Sequence, residues 1–334
     1  MAADTTTVPG ADQPDGTALL SVDDVAVNFT VRGGVLQAVR GVTLHVDDAE
    51  TVAVVGESGC GKSTLARTIC GLYTPARGTV RLRGVDVHRA TKAEQRTIRR
   101  NLQLLFQEPL PSLNPRLTVK RILWEPMKAN GMSRRLADAE DRIRDQLVAV
   151  GLDAGAAERY PGEFSGGQQQ RIALARLLVL RPRLICADEP VSALDVSIQA
   201  QIVALMLDLQ AEHGIAYVVI SHDLPLVAQM ATRVAVMYLG AIVEAGPAAD
   251  VVTRPQHPYT AALRSATPEP RAAGTARRIV LPGEPPSPLQ PPSGCPFHPR
   301  CPIARPHCAW DTPPLADIGQ SRHVACFYPG ELQP

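Results

Sequence analysis

The sequence has no unbroken apolar run approaching the eighteen or so residues that a bilayer-spanning helix needs, because Arg, Asp or Glu interrupts every candidate. The chain is therefore not expected to cross a membrane by itself. Its start, MAADTTTVPGADQPDG, has neither a basic n-region nor an apolar h-region, so no secretory signal is read there and residues 1–18 are expected to form a loose cytosolic tail. An excess of charge of one sign is also lacking. Lys+Arg 34 against Asp+Glu 33 leaves +1, which excludes a global basic field for non-specific nucleic-acid binding. Aromatic residues make up only 4%, but hydrophobic residues reach 45% over 334 positions, which excludes disorder and gives enough core that disulfides are not needed for folding. No repeat with a period of about twenty to fifty residues is found, which excludes solenoids and tandem domains.

Cysteine is sparse until the C-terminus. Cys60, Cys70 and Cys186 are scattered, whereas Cys295, Cys301, Cys308 and Cys326 fall within the last 40 residues, and 19 of the 30 prolines lie at or beyond Pro247. Regular structure should thin in that direction, with a boundary near residue 255. PGEPPSPLQPPSG (282–294) reads as a semi-extended connector that cannot form helix or central strand.

Upstream, Val25, Val27, Phe29 and Val31 alternate with Ala26, Asn28 and Thr30, the period of a strand with one buried face, and Gly33-Gly34 supplies a turn. The runs TVAVV (51–55), LICAD (184–188) and AYVVIS (216–221) are short, continuously apolar and rich in Val and Ile, as parallel strands covered on both faces must be. Helical stretches lie between them, so the class is α/β. One of these, 133–152, places Ile143, Leu147 and Val150 at helical spacing among charges and predicts an amphipathic helix in a separate helical lobe.

The segment Gly56-Glu57-Ser58-Gly59-Cys60-Gly61-Lys62-Ser63-Thr64 follows one such strand and precedes the helical LARTIC, the context a phosphate-binding loop requires. Glycines let successive backbone N–H groups face phosphate oxygens, Lys62 brings a point charge to the β/γ-phosphates, and the Ser63 hydroxyl can ligate Mg²⁺ at the positive end of a helix dipole. LICADEP ends a buried strand in Asp188-Glu189, an aspartate for Mg²⁺ followed by a carboxylate that can polarise water. Taken alone, such an ending is also that of an ordinary solvated turn. Ser165-Gly166-Gly167-Gln168 opens a helix carrying Ile172, Ala175 and Val179 on one face, and reads equally as an N-cap or as an anion site.

The order of P-loop, FSGGQQQR, ADEP, SALD and SHD over residues 19 to 250 resembles the nucleotide-binding subunits of ABC transporters. The resemblance implies a P-loop ABC domain over 19–255, with a RecA-like core, a β subdomain and a helical lobe at about 108–180, followed by a small Cys/Pro-rich extension over 256–334. It implies ATP and Mg²⁺ as ligands, Glu189 as the water-polarising residue, Asp188 on Mg²⁺, Gln107 of LLFQEP as the glutamine that senses the metal, Asp195 of SALD at a dimer seam and His222 as a switch histidine. Phe29 resembles the aromatic that stacks on adenine, although its alternation fits a core strand as well. Gln107 could end a strand, Asp195 could cap the following helix, and His222 could be satisfied in a turn. Phe164 stands where the signature most often has leucine.

FQEPLPSLNPRLTV (106–119), HPYTAAL (257–263) and CPFHPRCP with the later cysteines resemble the dipeptide/oligopeptide/nickel branch of ABC importers. By that resemblance the partners are a second ATPase subunit, in a hetero- or homodimer, two membrane permeases and, through them, an extracytoplasmic binding protein, at the cytoplasmic face of the membrane. Peptide is the implied cargo, with nickel or another small solute as the alternative. A soluble ABC ATPase of DNA repair or translation is the other class. Such proteins commonly carry two modules or a long coiled coil, whereas this chain has one P-loop, no sustained heptads and no call for a nucleic-acid partner. The spacing C-x5-C-x6-C-x17-C is not that of common zinc ribbons and by itself leaves zinc, a cluster, disulfides and free thiols open, with disulfides disfavoured in a cytosolic setting. A Pro-rich segment with little core of its own would gain its fold from a metal staple. Similarity to cluster-bearing importer subunits implies a [4Fe-4S] cluster on Cys295, Cys301, Cys308 and Cys326. His298, His307 and His323 could replace a cysteine as ligand or be solvent-exposed bystanders.

Overall fold

A computed structural model of the chain describes residues 18–266 and 278–333. The N-terminal tail, apart from residue 18, lies outside the described residues, as do residues 267–277 of the extension. The chain divides into two compact units, one drawn from Met1–His88 and Val219–Pro334, the other Arg89–Val218.

The first unit begins with β1 (Leu20–Val31) and β2 (Gly34–Val46), an antiparallel hairpin in which Val31 pairs with Gly34. Val25 and Val27 are buried, Ala26 is half-buried and Asn28 is exposed, as the alternation requires. A bulge interrupts the register between Val22 and Val25, with Asp24 at φ 47, and the change of phase lets Leu20 and Val22 be buried as well. Each of these aliphatic side chains contributes about 1.5–3 kcal/mol by leaving water. Val31, expected on the buried face, is 39% exposed, because the strand runs to the open tip of the hairpin. After β3 (Thr51–Val55), every residue of which is buried, come α1 (Lys62–Ile69), β4 (Arg77–Leu82) and β5 (Val85–Asp86). An antiparallel sheet of order β2-β1-β4-β5 results.

The second unit holds α2 (Lys92–Asn101), β6 (Leu102–Leu105), the short α3 (Pro109–Ser112), α4 (Val119–Ala129), α5 (Glu140–Ala149), α6 (Gly166–Leu178), β7 (Leu184–Asp188) and α7 (Val196–His213). Strands β6 and β7 pair in parallel, Leu102 with Leu184 through Leu105 with Ala187. The helix predicted over 133–152 is shorter than its periodicity suggests. Ser133 is buried, its hydroxyl donating to Arg135 O at 2.6 Å and accepting from Trp124 Nε1 at 3.3 Å, so 133–135 form a local turn and a 3-10 turn over Leu136–Ala139 leads into α5. Ile143, Leu147 and Val150 are buried as their spacing predicts.

Strand β8 (Ala216–Ser221), also wholly buried, carries the chain back to the first unit. There follow α8 (Leu224–Met230), β9 (Arg233–Tyr238), β10 (Ala241–Pro247), α9 (Ala248–Thr253), α10 (Pro258–Ala266), β11 (Ala316–Asp317) and β12 (His323–Val324). Strand β9 pairs in parallel with β3, and β10 antiparallel with β9. The cysteine-rich segment completes this side of the sheet, since β12 pairs with β10 and β11 with β12. Residues 282–294 contain neither helix nor strand, as their prolines dictate.

The extension has more core than its composition suggests. Phe297, Leu315 and Val324 are buried, and Phe297 packs against Tyr238 and Tyr259 with ring centroids 5.2 and 5.5 Å away. Its anchor is Glu244 on β10, a carboxylate with 0% exposure that accepts from Gln256 N, His257 N and Arg322 Nη2 at 2.9, 2.9 and 2.8 Å. Arg322→Met would leave that charge buried without its partner. The expected cost is about 3–5 kcal/mol in urea denaturation; a loss below about 1 kcal/mol would show that the backbone donors alone satisfy the carboxylate.

Candidate active site

In the first unit the loop after β3 closes around its own lysine. Lys62, 4% exposed, donates from Nζ to Gly56 O at 2.7 Å and Glu57 O at 2.9 Å, with Cys60 Sγ at 3.9 Å. Gly61 takes φ 106 as the N-cap of α1, and Leu65 N donates to its carbonyl at 2.9 Å. Ser58 and Gly59 are exposed at the tip, and Gly61, Ser63 and Thr64 are half-buried along the start of the helix. Burial pushes the Cys60 thiol up, outweighing the nearby Lys62 ammonium. Glu57 is tied down on two sides. Its backbone N–H donates to the Tyr259 hydroxyl at 2.7 Å, and its carboxylate accepts both Nη atoms of Arg300 at 2.8 and 3.2 Å.

Phe29 is half-buried and meets Tyr73 edge to face at 5.2 Å, so it belongs to an aromatic pair at the strand's end rather than to the buried row of β1. His222 is exposed at the turn after β8, where Asp223 caps α8 by accepting Leu226 N at 3.1 Å.

In the second unit β7 delivers Asp188 buried and Glu189 half-buried. Glu189 lies at φ 47, a left-handed conformation that a non-glycine residue keeps only when its surroundings impose it. Gln170 of α6, itself buried, donates to Pro190 O at 2.7 Å, and Ser192 Oγ donates to Glu189 O at 3.2 Å. The Gln107 amide donates to Glu189 Oε2 at 3.1 Å and reaches Ser192 Oγ at 3.5 Å, so residues far apart in sequence share one polar cluster.

Ser165 caps α6 in a reciprocal box, its hydroxyl accepting Gln168 N at 3.4 Å while Gln168 Oε1 accepts Ser165 N at 3.0 Å. Ser165, Gly166 and Gln168 are exposed and Gly167 half-buried, so the helix start faces outward. Phe164 is buried under Arg159, whose guanidinium lies 4.2 Å from the ring centroid, and the phenyl for leucine exchange is a packing change. Asp195 occupies the N-cap position of α7, yet its exposed side chain makes no capping hydrogen bond.

Cys295, Cys301, Cys308 and Cys326 line one pocket together with Phe297 and Tyr328. Burial pushes the Cys301 and Cys326 thiols up to about 11, and raises Cys295 as well. Among the described residues no group of three or more His, Cys, Asp or Glu side chains is placed to hold a metal ion. The flanking histidines are not bystanders in water. His323 is buried, His307 stacks on Phe327 and Tyr328, and His298 Nδ1 lies 2.9 Å from Cys295 O.

Residues 39–192 match the ABC transporter family, and residues 243–308 match the oligopeptide/dipeptide transporter C-terminal region. A probable peptide ABC transporter ATP-binding protein of Sinorhizobium fredii is 48% identical over 317 residues, covering 92% of this chain and 89% of its own. The oligopeptide transport ATP-binding protein OppF of Salmonella typhimurium is 47% identical, covering 92% and 96%. The chain belongs to the ABC transporter ATP-binding proteins. The dimeric structure of MJ0796, a bacterial ABC transporter cassette, aligns with a TM-score of 0.62 at 27% identity over 69% of this chain and 98% of that one, in keeping with the mixed α/β fold.

ATP hydrolysis is the general activity of this family of ATPases. Sequence reasoning had no means of finding the grip of Tyr259 and Arg300 on the ABC subunit's P-loop. Both sit in motifs, HPYTAAL and CPFHPRCP, that mark the branch but carry no chemical signature of their own. Ser192 was missed although it opens SALD, where only Asp195 was given a role.

His257, beneath that grip, accepts Tyr259 N–H on Nδ1 at 3.0 Å, and burial pulls its pKa down from 6.5 to about 3. Because the folded value lies below the unfolded one, the unfolded chain takes the proton first on acidification. The neutral ring's contribution is complete above about pH 6.5 and is lost as pH falls toward 3. Between pH 6 and 4, unfolding free energy should drop by up to about 1.4 kcal/mol per pH unit more than in His257→Gln; matching slopes would refute the buried neutral ring.

Proposed function

We propose that the chain hydrolyses Mg²⁺-ATP to power peptide import, working at the cytoplasmic face of the membrane as one of two ATPase subunits that act on a pair of permeases served by an extracytoplasmic binding protein. The observation that carries the hydrolytic part is the strained Glu189, one residue beyond buried Asp188 and hydrogen-bonded by Gln107. The peptide cargo and the membrane partners are supported by what the relatives are called. Among the described residues no helix is long and apolar enough to cross a membrane, so contact with the bilayer would come through the permeases.

In this reading the Lys62 ammonium exchanges the Gly56 and Glu57 carbonyls for β/γ-phosphate oxygens, at little cost because both sets of acceptors are oxygen. Phe29 stacks on the adenine, and backbone N–H groups of Gly56, Ser58, Gly59, Cys60, Gly61 and Thr64 cradle phosphate. Ser63, Asp188 and Gln107 offer hydroxyl, carboxylate and amide oxygens, a hard donor set that suits Mg²⁺, and the ion would neutralise charge developing on the transferred phosphoryl group. Glu189 takes up the proton of the attacking water, and Gln107 holds that carboxylate in line. His222 meets the γ-phosphate. Ser165, Gly166, Gly167 and Gln168 serve the nucleotide of the second subunit, with Asp195 at the seam. Contacts that ADP cannot make give the closed dimer its differential affinity, and this difference can move permeases.

Glu189→Gln should keep ATP binding and lower turnover roughly a hundredfold, on the order of 3 kcal/mol in the transition state. Near-normal turnover would assign water activation elsewhere. Ser165→Arg in one subunit should silence the partner's site.

We propose further that Cys295, Cys301, Cys308 and Cys326 hold a [4Fe-4S] cluster. Four thiols lining one pocket suit it, and a cubane spreads its ligands more widely than a single ion does. Anaerobic purification should give about four iron and four sulfide per chain. Stoichiometric zinc, or four alkylatable thiols without metal, would defeat this reading.

A further inference from the structure

We propose that Arg300 and Tyr259 are positioning residues for ATP binding, through which the C-terminal extension sets the shape and charge of the phosphate-binding loop. The proposal rests on the reading that this loop binds ATP. Its basis is Glu57, the second residue of the loop, all of whose polar groups are engaged. The carbonyl accepts Lys62 Nζ at 2.9 Å and Cys60 N at 3.3 Å, the N–H goes to Tyr259, and the carboxylate is paired in a fork with Arg300. The ion pair is shielded, with side-chain exposures of 8% for Arg300 and 28% for Glu57.

A carboxylate in a loop built to receive a polyphosphate is a liability, since like charges repel most strongly where water is excluded. Arg300 cancels that charge. Burial alone would lower its pKa, but the Glu57 carboxylate and the Tyr238 hydroxyl more than reverse this, so the guanidinium stays charged. The fork also fixes direction, because two parallel N–H···O bonds allow the carboxylate one orientation.

Both anchors are rigid. Tyr259 is fully buried, its ring 4.7 Å from that of Tyr238 and 5.5 Å from that of Phe297. Arg300 ends the 3-10 turn His298–Arg300, its N–H donating to Phe297 O at 3.0 Å. Phe297 and Cys301 flank that turn and line the cysteine pocket, so a change in the pocket is one side chain away from the loop. Ser58 and Gly59 remain exposed, free of this clamp, as a loop that must still admit its ligand requires.

Equilibrium binding of Mg²⁺-ATP to the full chain tests the proposal. Arg300→Met should raise the Kd about tenfold, and Glu57→Gln combined with Arg300→Met should bring it back to within about threefold of wild type, because the unpaired charge is gone. Tyr259→Phe should raise the Kd about threefold while the melting temperature moves little. Wild-type affinity in Arg300→Met, or a double variant as weak as Arg300→Met alone, would overturn the proposal. Should Arg300→Met fail to fold, unchanged affinity in Tyr259→Phe would do so. Lys62→Ala is the separate control. If it too binds ATP normally, the reading of the loop itself fails, whatever Arg300 does.

Discussion

The phosphate-binding loop exists in its present shape only because two of its positions carry no side chain. A Cβ on Gly56 would stand 2.2 Å from Met237 O, and one on Gly61, at φ 106, would stand 2.1 Å from Ala38 O. Both obstacles are backbone, which cannot rotate aside. The loop is therefore pressed against the end of β9 and against β2, and its route is fixed by strands rather than by its own residues. Gly240 N donates to Cys60 O at 2.9 Å and Arg40 N to Gly240 O at 2.7 Å, which carries the constraint into the neighbouring turn. Once this route is set, Lys62 points back into the loop and α1 starts there, with Gly61 as its N-cap.

Strain in the second unit is sustained in the same manner. Glu189 keeps a left-handed backbone because the Gln170 side chain holds Pro190 from below and Ser192 folds its hydroxyl back on the Glu189 carbonyl. A cost of about 1–3 kcal/mol for such a conformation is tolerable where neighbours over-determine it. The gain is a carboxylate held at the end of a buried strand within reach of Gln107, whereas the usual extended continuation of β7 would have carried it along the sheet.

What the sequence made legible was local and periodic. Every residue of TVAVV, LICAD and AYVVIS is buried, because a covered strand has no polar side to show, and Ile143 and Leu147 of one helix are buried with Val150 at its C-cap. The P-loop could be read because its chemistry needs its residues consecutively. What could not be read depends on pairs distant in the chain or on shifts of one residue. The bulge at Asp24 changes the phase of β1 without any compositional mark, and the turn at 133–135 comes from the Ser133 hydroxyl finding Trp124. Arg300 and Glu57 lie 243 residues apart, and nothing in CPFHPRCP distinguishes an arginine facing solvent from one buried against a carboxylate.

A proline-rich, cysteine-bearing segment suggests a fold that a metal must staple, as in zinc fingers, where folding and binding are one event. Here the segment is held by other means: a buried carboxylate with three donors, a two-residue strand added to β10, and an aromatic cluster reaching from β9. Burial pushes the Cys301 and Cys326 thiols up to about 11, so a cation binding there would release their protons. A centre bound there would sit one turn away from the arginine that pairs with the loop. Its influence would then reach the loop's charge and position through Arg300 and Glu57 as well as the stability of the fold.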